Sequence, residues 1–259
     1  EQGSWFAFAE RTAPGNRQAL RSILAQLIVA GHETTSKFLF FALMTLGDPN
    51  KHDIVLKLRS EIDSYIDFKT TPEMRAQGKQ YTPDLWDEDD FNELNYLNAF
   101  SLEVLRLYTP IPDMFFEVEK PIPFASGLEK GDLLAILPRI THKLEAAFGP
   151  NAAIFDPSRF LEVSLSDVID KKNSRFIGFG FDQRKCIGKR FALQEEKIIV
   201  AKIVYGFDVE VTHIVDHRTD YQEIITMHLS KAAEEARIRL IPRTEHSLSE
   251  ELTAPLYLP

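Results

Sequence analysis

A single cysteine, Cys186, stands among glycines, aromatics and basic residues in the run Phe176-Ile177-Gly178-Phe179-Gly180-Phe181-Asp182-Gln183-Arg184-Lys185-Cys186-Ile187-Gly188. Alone it can neither close an internal disulfide nor build the paired-cysteine cage of a structural zinc site. It is therefore an inert side chain, a reactive thiol or a lone metal ligand. A thiolate bound to a metal needs a tight loop, amide groups aimed at sulfur and positive surroundings. Gly178, Gly180 and Gly188 permit the turns, and a helix beginning near Lys189 sets its positive end close to the sulfur, which favours the thiolate. Arg184 and Lys185 can pair with carboxylates on a bound group, since a guanidinium forks onto such groups well. The Phe179 ring can shield one side of the sulfur. The commonest fate of a lone cysteine is that of a small buried hydrophobe, and only the loop around Cys186 argues otherwise.

A second segment, Ala30-Gly31-His32-Glu33-Thr34-Thr35, carries a glycine in mid-helix, which costs about 1 kcal/mol relative to Ala and needs a reason. With no side chain, Gly31 lets a flat group approach the backbone. The Thr34 hydroxyl can bond back to a carbonyl one turn earlier or to a ligand, and Glu33 can pass protons inward from solvent. Taken alone, such a Gly–Thr step is more often a packing notch. Glu103 and Arg106, at i and i+3, share one helix face and can pair, as countless surface residues do.

The elements that must position these residues are mostly helical. Asn16 can cap a helix that runs without Pro to Gly47, Asp48 and Pro49, about thirty residues or roughly 45 Å. Leu20, Ile23, Leu24, Leu27 and Ile28 form a stripe, and from Phe38 to Leu43 apolar residues surround the axis, as in a helix inside a large protein. Gln26, His32, Glu33 and Lys37 interrupt its apolar stretch, so a buried helix of a soluble type is expected rather than a membrane span. A surface helix is expected from Lys51 to Ile66 and an exposed connection over residues 67 to 90. The acidic group Asp84, Asp87, Glu88, Asp89 and Asp90 reads there as a solvated run. A third helix spans Phe91 to Tyr108 and stops at Pro110 and Pro112. Short strands follow at Phe115–Val118 and Leu133–Leu137. After Cys186 come a helix from Lys189 to Tyr205 and strands at Asp208–Thr212, Ile224–Leu229 and Ala236–Ile241, with residues 243–259 as a loose tail. The fold class is mainly α with small β-sheets.

Composition sets outer limits. The 259 residues could form one large or two small domains, and 44% apolar content is ample for a core. Acidic residues outnumber basic ones 39 to 30, and a net charge of −9 argues against nucleic acid as a partner. Glu1 rather than Met opens the chain and no leader-like segment follows it, so the chain is expected to be part of something longer.

The cysteine run resembles the haem-binding signature of the cytochrome P-450 family, Phe-x-x-Gly-x-Arg-x-Cys-x-Gly, at Phe179, Arg184, Cys186 and Gly188. Asp182 stands where the family has Gly, and the flanking aromatics look like the longer form common in microsomal members. Ala30 to Thr35 is similar to the family's oxygen-activation motif. Phe155-Asp156-Pro157-Ser158-Arg159-Phe160 resembles its Phe-x-Pro-x-Arg-Phe segment, whose Arg joins the Glu-x-x-Arg pair. The resemblance implies the C-terminal part of the cytochrome P-450 fold, from the long central helix through the haem-ligand loop to the closing strands. Residues 1–259 would be a single partial domain whose N-terminal half is missing. It implies haem b with Cys186 as the iron ligand and Ala30, Gly31, Phe179, Arg184 and Gly188 around the cofactor. Glu33 and Thr34 would deliver protons, and Glu103, Arg106 and Arg159 would form a buried structural network. Phe116 stands where many members place an Arg for a haem propionate, which weakens haem retention.

The function so implied is insertion of one oxygen atom from dioxygen into a small apolar substrate. Electrons would come from NADPH through a cytochrome reductase or another donor. Lys171, Lys172, Arg175, Arg184, Lys185, Lys189 and Arg190 suit docking of an acidic donor, though a plain solvated patch fits them equally. Val29, Ala30, Met114 and Phe115, with Gln222 to Ile224, are the candidate pocket residues. The resemblance places the parent on the cytosolic face of the endoplasmic reticulum if an anchor exists in the missing part. Two alternatives stand beside it: a peroxide isomerase or dehydratase of the same fold, and a truncated, non-catalytic fragment that binds haem poorly or only other proteins.

Overall fold

A computed structural model describes residues 5–120, 127–170, 175–213 and 237–243. The strand expected at Ile224–Leu229, the pocket candidates Gln222 to Ile224, Lys171, Lys172 and residues 244–259 lie outside the described residues. Arg243, expected to open a loose tail, is tied down. Its N–H donates to the Gly206 carbonyl at 2.9 Å and its guanidinium to the carbonyls of Val204 and Tyr205.

After a short helix α1 (Trp5–Thr12) comes α2 (Arg17–Leu46). Asn16 starts it, its side-chain oxygen accepting the Ala19 N–H at 3.0 Å, and Gly47 ends it, its N–H returning to the Leu43 carbonyl at 3.1 Å. Gly47 is there for space: a Cβ at this position would lie 2.5 Å from a Val211 methyl of the crossing strand. Along α2 the burial changes. Phe38, Phe41, Ala42, Met44 and Leu46 are buried, whereas Ile28 and Val29 are 70% and 65% exposed. The all-round apolar half lies in the core; of the preceding stripe, Leu20, Ile23, Leu24 and Leu27 are half-buried and Ile28 is exposed.

The surface helix α3 (His52–Lys69) and a single turn α4 (Pro72–Ala76) follow. The helix expected over residues 91–108 is two helices, α5 (Glu88–Glu93) and α6 (Asn95–Leu107), separated at Leu94 with φ −83° and ψ 88°. Asp87 and Asp90 form a capping box at the start of α5. The first N–H groups of α6 are met from another element: Glu61 of α3 accepts from Tyr96 and Leu97 at 2.6 and 2.9 Å. That remote carboxylate makes a break at Leu94 tolerable.

The acidic run is not all solvated. Asp90 is buried, accepts hydrogen bonds from the Tyr65 and Tyr81 hydroxyls at 2.7 and 2.8 Å and pairs with Lys69 at 3.2 Å. Burial pushes its carboxyl up, but the Asp87 N–H, the two hydroxyls and Lys69 outweigh that and hold it down at about 2.

Strands β1 (Met114–Glu117) and β2 (Leu133–Ile136) pair antiparallel, Met114 opposite Ile136. Helices α7 (Pro138–Thr141), α8 (Glu145–Phe148) and α9 (Leu165–Asp170) are short, with a 3-10 turn at Pro157–Phe160 between the last two. After the cysteine loop, α10 (Lys189–Gly206) leads into β3 (Phe207–His213), which pairs antiparallel with β4 (Arg237–Pro242). The core centres on α6, buried from Leu97 through Leu107 and packed on α2, α3 and α10. Phe41 of α2 stacks on Tyr108, which stacks in turn on Phe155. Among the described residues no helix is long and apolar enough to cross a membrane.

Candidate active site between the long helix and the cysteine loop

The middle of α2 faces the cysteine loop across two adjoining apolar cavities of about 240 and 410 Å3, both lined by Thr34, Thr35, Cys186 and Ala192. The larger also meets Ala30 and Gly31, and the smaller Met114, Phe179 and Arg184. Cys186 is a free, exposed cysteine, not the small buried hydrophobe that lone cysteines usually become. A Cβ at Gly31 would meet nothing within 4 Å, so this glycine is no packing notch; it gives bare backbone to the open slot.

One turn along, the Thr34 hydroxyl donates to the Ala30 carbonyl at 2.6 Å, leaving its lone pairs free to accept. Glu33 lines neither cavity. It pairs at 3.2 Å with Lys37, one helical turn on and buried.

The loop is built by its own backbone. The Cys186 N–H donates to the Phe179 carbonyl at 2.8 Å and the Gly180 N–H to the Ile177 carbonyl at 2.9 Å, with Gly180 at φ +72°. Phe176 anchors the loop in the core, and α10 begins three residues beyond the sulfur. Asp182 has φ +50°, the one non-glycine in the left-handed region among the described residues. Asp tolerates this better than most residues do, but strain remains. Asp182→Gly is therefore expected to stabilise the protein by about 1 kcal/mol, read as a higher thermal midpoint. An unchanged or lowered midpoint would refute the strain.

Behind the loop lies a buried ionic scaffold. Arg106, fully buried on α6, donates from Nε and Nη2 to the two oxygens of Glu103 at 2.6 and 2.7 Å. Its remaining protons reach the carbonyls of His142, Ala152 and Ile154. Glu103 also accepts the Asp156 N–H at 2.7 Å. Arg159, the expected third member, sits more loosely. Its Nε is 3.7 Å from Glu103 without a hydrogen bond, and its guanidinium holds the carbonyls of Phe148 and Asn151 instead.

His142 completes the scaffold and was absent from the sequence-based set. Its Nδ1 lies 2.9 Å from the Arg106 carbonyl, and its Nε2 accepts the Ile177 N–H of the cysteine loop at 2.9 Å. Those two contacts require the neutral ring with its proton on Nδ1. The ring stacks on Phe176, centroids 5.3 Å apart, and is fully buried. Burial lowers its pKa to about 4, and the nearby Arg106 charge pushes the same way. A lone His in a loop carries no periodicity or motif spacing that would have revealed this.

Other expected positions divide. Met114 lines the smaller cavity, but Phe115 is 66% exposed because successive strand residues point to opposite faces. Val29 likewise faces outward on α2. Phe116 packs on Phe181 of the cysteine loop, ring centroids 5.4 Å apart. Arg184 lines the slot from an exposed position, while Arg175 donates to the Ala147 carbonyl at the loop's far end.

The family profile described as Cytochrome P450 matches residues 10–234. Among similar curated proteins, Cytochrome P450 52A5 of Candida maltosa is 28% identical over 223 residues, covering 82% of this chain and 39% of that protein. Cytochrome P450 4A2 of Rattus norvegicus is 29% identical over 73% of this chain and 34% of its own length. Taurochenodeoxycholic 6 alpha-hydroxylase of Sus scrofa is 30% identical with the same coverage. The chain thus spans between a third and two fifths of the length of these relatives.

Proposed function

The chain belongs to the cytochrome P450 family, and from that membership we propose that it is the haem-ligating part of a monooxygenase that inserts one oxygen atom from dioxygen into a small apolar substrate. The activity would belong to a longer polypeptide, of which residues 1–259 form one partial domain and an N-terminal half supplies the opposite wall. One observation carries the reading: an exposed Cys186 thiol opens onto an apolar slot whose other side is the bare backbone at Gly31.

The residues present fit haem b. Cys186 would be the iron ligand, Arg184 would reach a carboxylate at the slot's edge, and Phe179 and Gly188 would border the sulfur. Ala30 and Gly31 leave clearance on the α2 side. When bound, the haem supplies the centre at which dioxygen is activated, and electron donation by thiolate sulfur favours O–O cleavage. Thr34, its own proton committed to Ala30, accepts a hydrogen bond from a proton donor in the slot. Glu33, half-exposed, exchanges protons with solvent and is oriented by Lys37. Phe116 is spent on Phe181 of the cysteine loop, and Arg184 is the cation in the lining of the smaller cavity.

Electrons would come from NADPH through a reductase. The reading extends to the cytosolic face of the endoplasmic reticulum if an anchor exists in the missing N-terminal part, supported by the cysteine loop's likeness to microsomal members. The test is the absorption band of thiolate-ligated ferrous haem with carbon monoxide, recorded on the full protein. The native protein is expected to show it and Cys186→Ser to lose it while remaining folded. A folded, haem-loaded native sample without that band would end the proposal, and product formation with reductase and NADPH tests the oxygenation.

A further inference from the structure

On the side of α10 turned away from Cys186 lies a separate cavity of about 480 Å3, bounded by α5, α6, α9 and α10. Residues Phe191, Ala192 and Glu195 of α10 line the cysteine slot, whereas Arg190, Leu193, Gln194 and Lys197 line this one. Its walls include Leu102, Phe160, Val163 and Ile169.

The charge at this cavity is unusual. Lys197 is 1% exposed, yet its ammonium is held by two neutral acceptors, Asn98 Oδ1 at 3.0 Å and Asn92 Oδ1 at 3.3 Å. Among the described residues no carboxylate comes within 4 Å of it. The adjacent Glu196 is engaged elsewhere, with the Ser101 hydroxyl of α6. An ammonium has three protons, so one remains for another acceptor. Buried cations are normally paired, because an uncompensated charge in a poor dielectric is costly. Arg190 adds a second cation in an exposed lining position, with no hydrogen bond or ion pair among the described residues, and Glu88 is the one acid in the lining.

We propose that this cavity binds a small organic carboxylate, its head on Lys197 and its apolar body against Leu102, Phe160, Val163 and Ile169. The volume lies in the range of small-molecule sites, and a few polar groups in apolar surroundings are what such sites present. Burial lowers the Lys197 pKa to about 8, partly countered by Glu196 and Glu88, so the side chain is mostly cationic at neutral pH. The proposal is independent of the haem reading, since a different face of α10 carries it.

Hexanoate is the probe, titrated calorimetrically into the full protein with the haem slot blocked by an iron-coordinating azole. One hexanoate per chain is expected, with hexanol, which lacks the charge, at least about tenfold weaker. Lys197→Met should weaken hexanoate by a similar factor, and Val163→Trp, which fills the cavity without touching the cation, should abolish binding. Arg190→Gln should weaken it less. No saturable binding to the native protein would overturn the proposal. So would binding that Val163→Trp leaves intact, or binding that Val163→Trp abolishes while Lys197→Met does not alter it.

Discussion

Replacing Arg106 with methionine is expected to cost the folded protein roughly 3 to 5 kcal/mol, the range for breaking a buried ion pair from one side. The guanidinium is fully buried and uses every face of its fork: Glu103 on two protons, and the carbonyls of His142, Ala152 and Ile154 on the others. Methionine matches much of the volume but leaves the Glu103 carboxylate and three carbonyls buried without their donor. Arg159 cannot take over, since it stands 3.7 Å from Glu103 and is occupied by Phe148 and Asn151. Lysine should rescue little, because a single ammonium cannot fork onto a carboxylate and also reach three carbonyls. The pair Glu103→Leu with Arg106→Met should cost less than Arg106→Met alone, since it removes the stranded charge. Urea unfolding of the full protein measures all three. A loss below about 1 kcal/mol for Arg106→Met would mean that water or another cation replaces it.

Acidification is expected to weaken the same scaffold through His142. Its pKa is about 4 in the fold against 6.5 when unperturbed, so the unfolded chain binds the extra proton first. The stability it contributes is complete above about 6.5 and is lost progressively as pH falls toward 4, roughly 3 kcal/mol in total. The reason is geometric as well as dielectric: an imidazolium donates from both nitrogens, so Nε2 could no longer accept the Ile177 N–H.

His142→Phe preserves the stack on Phe176 but strands that N–H and leaves the Arg106 carbonyl without the ring's donor, a cost of about 2 to 4 kcal/mol at neutral pH. It should also remove the proton-linked slope between pH 4 and 6.5. Unfolding free energies at several pH values separate the two effects. If the variant kept the native slope, other groups would be responsible for it. Because Ile177 lies in the cysteine loop, the variant's reduced carbon monoxide band should be less stable at neutral pH but change less than the native band between pH 6.5 and 4.

Much of the fold was legible locally. A helix from Asn16 to Gly47 follows from a cap, a run unbroken by Pro and a glycine stop, all read from neighbours along the chain. Strands at 114–117 and 133–136 follow from short β-prone pieces between turns. The four motif segments were likewise readable, because a loop that must hold sulfur needs glycines and cations close in sequence.

What escaped reading depends on groups far apart in the chain. The break at Leu94 rests on Glu61, whose carboxylate serves a helix start thirty-odd residues away. Asp90 looked like one more solvated acid until Tyr65, Tyr81 and Lys69 closed around it. Phe115 and Val29 were assigned to the pocket by neighbourhood; both are exposed and line neither of the two cavities. His142 and Lys197 carry no local signature, since an isolated polar residue gives no period and no spacing. Sequence alone brought forward the family and the helix and loop that are the candidate site, because their motifs are made by neighbours along the backbone. Which polar groups are buried, and what they bind, was decided only when distant elements packed together and removed water from between them.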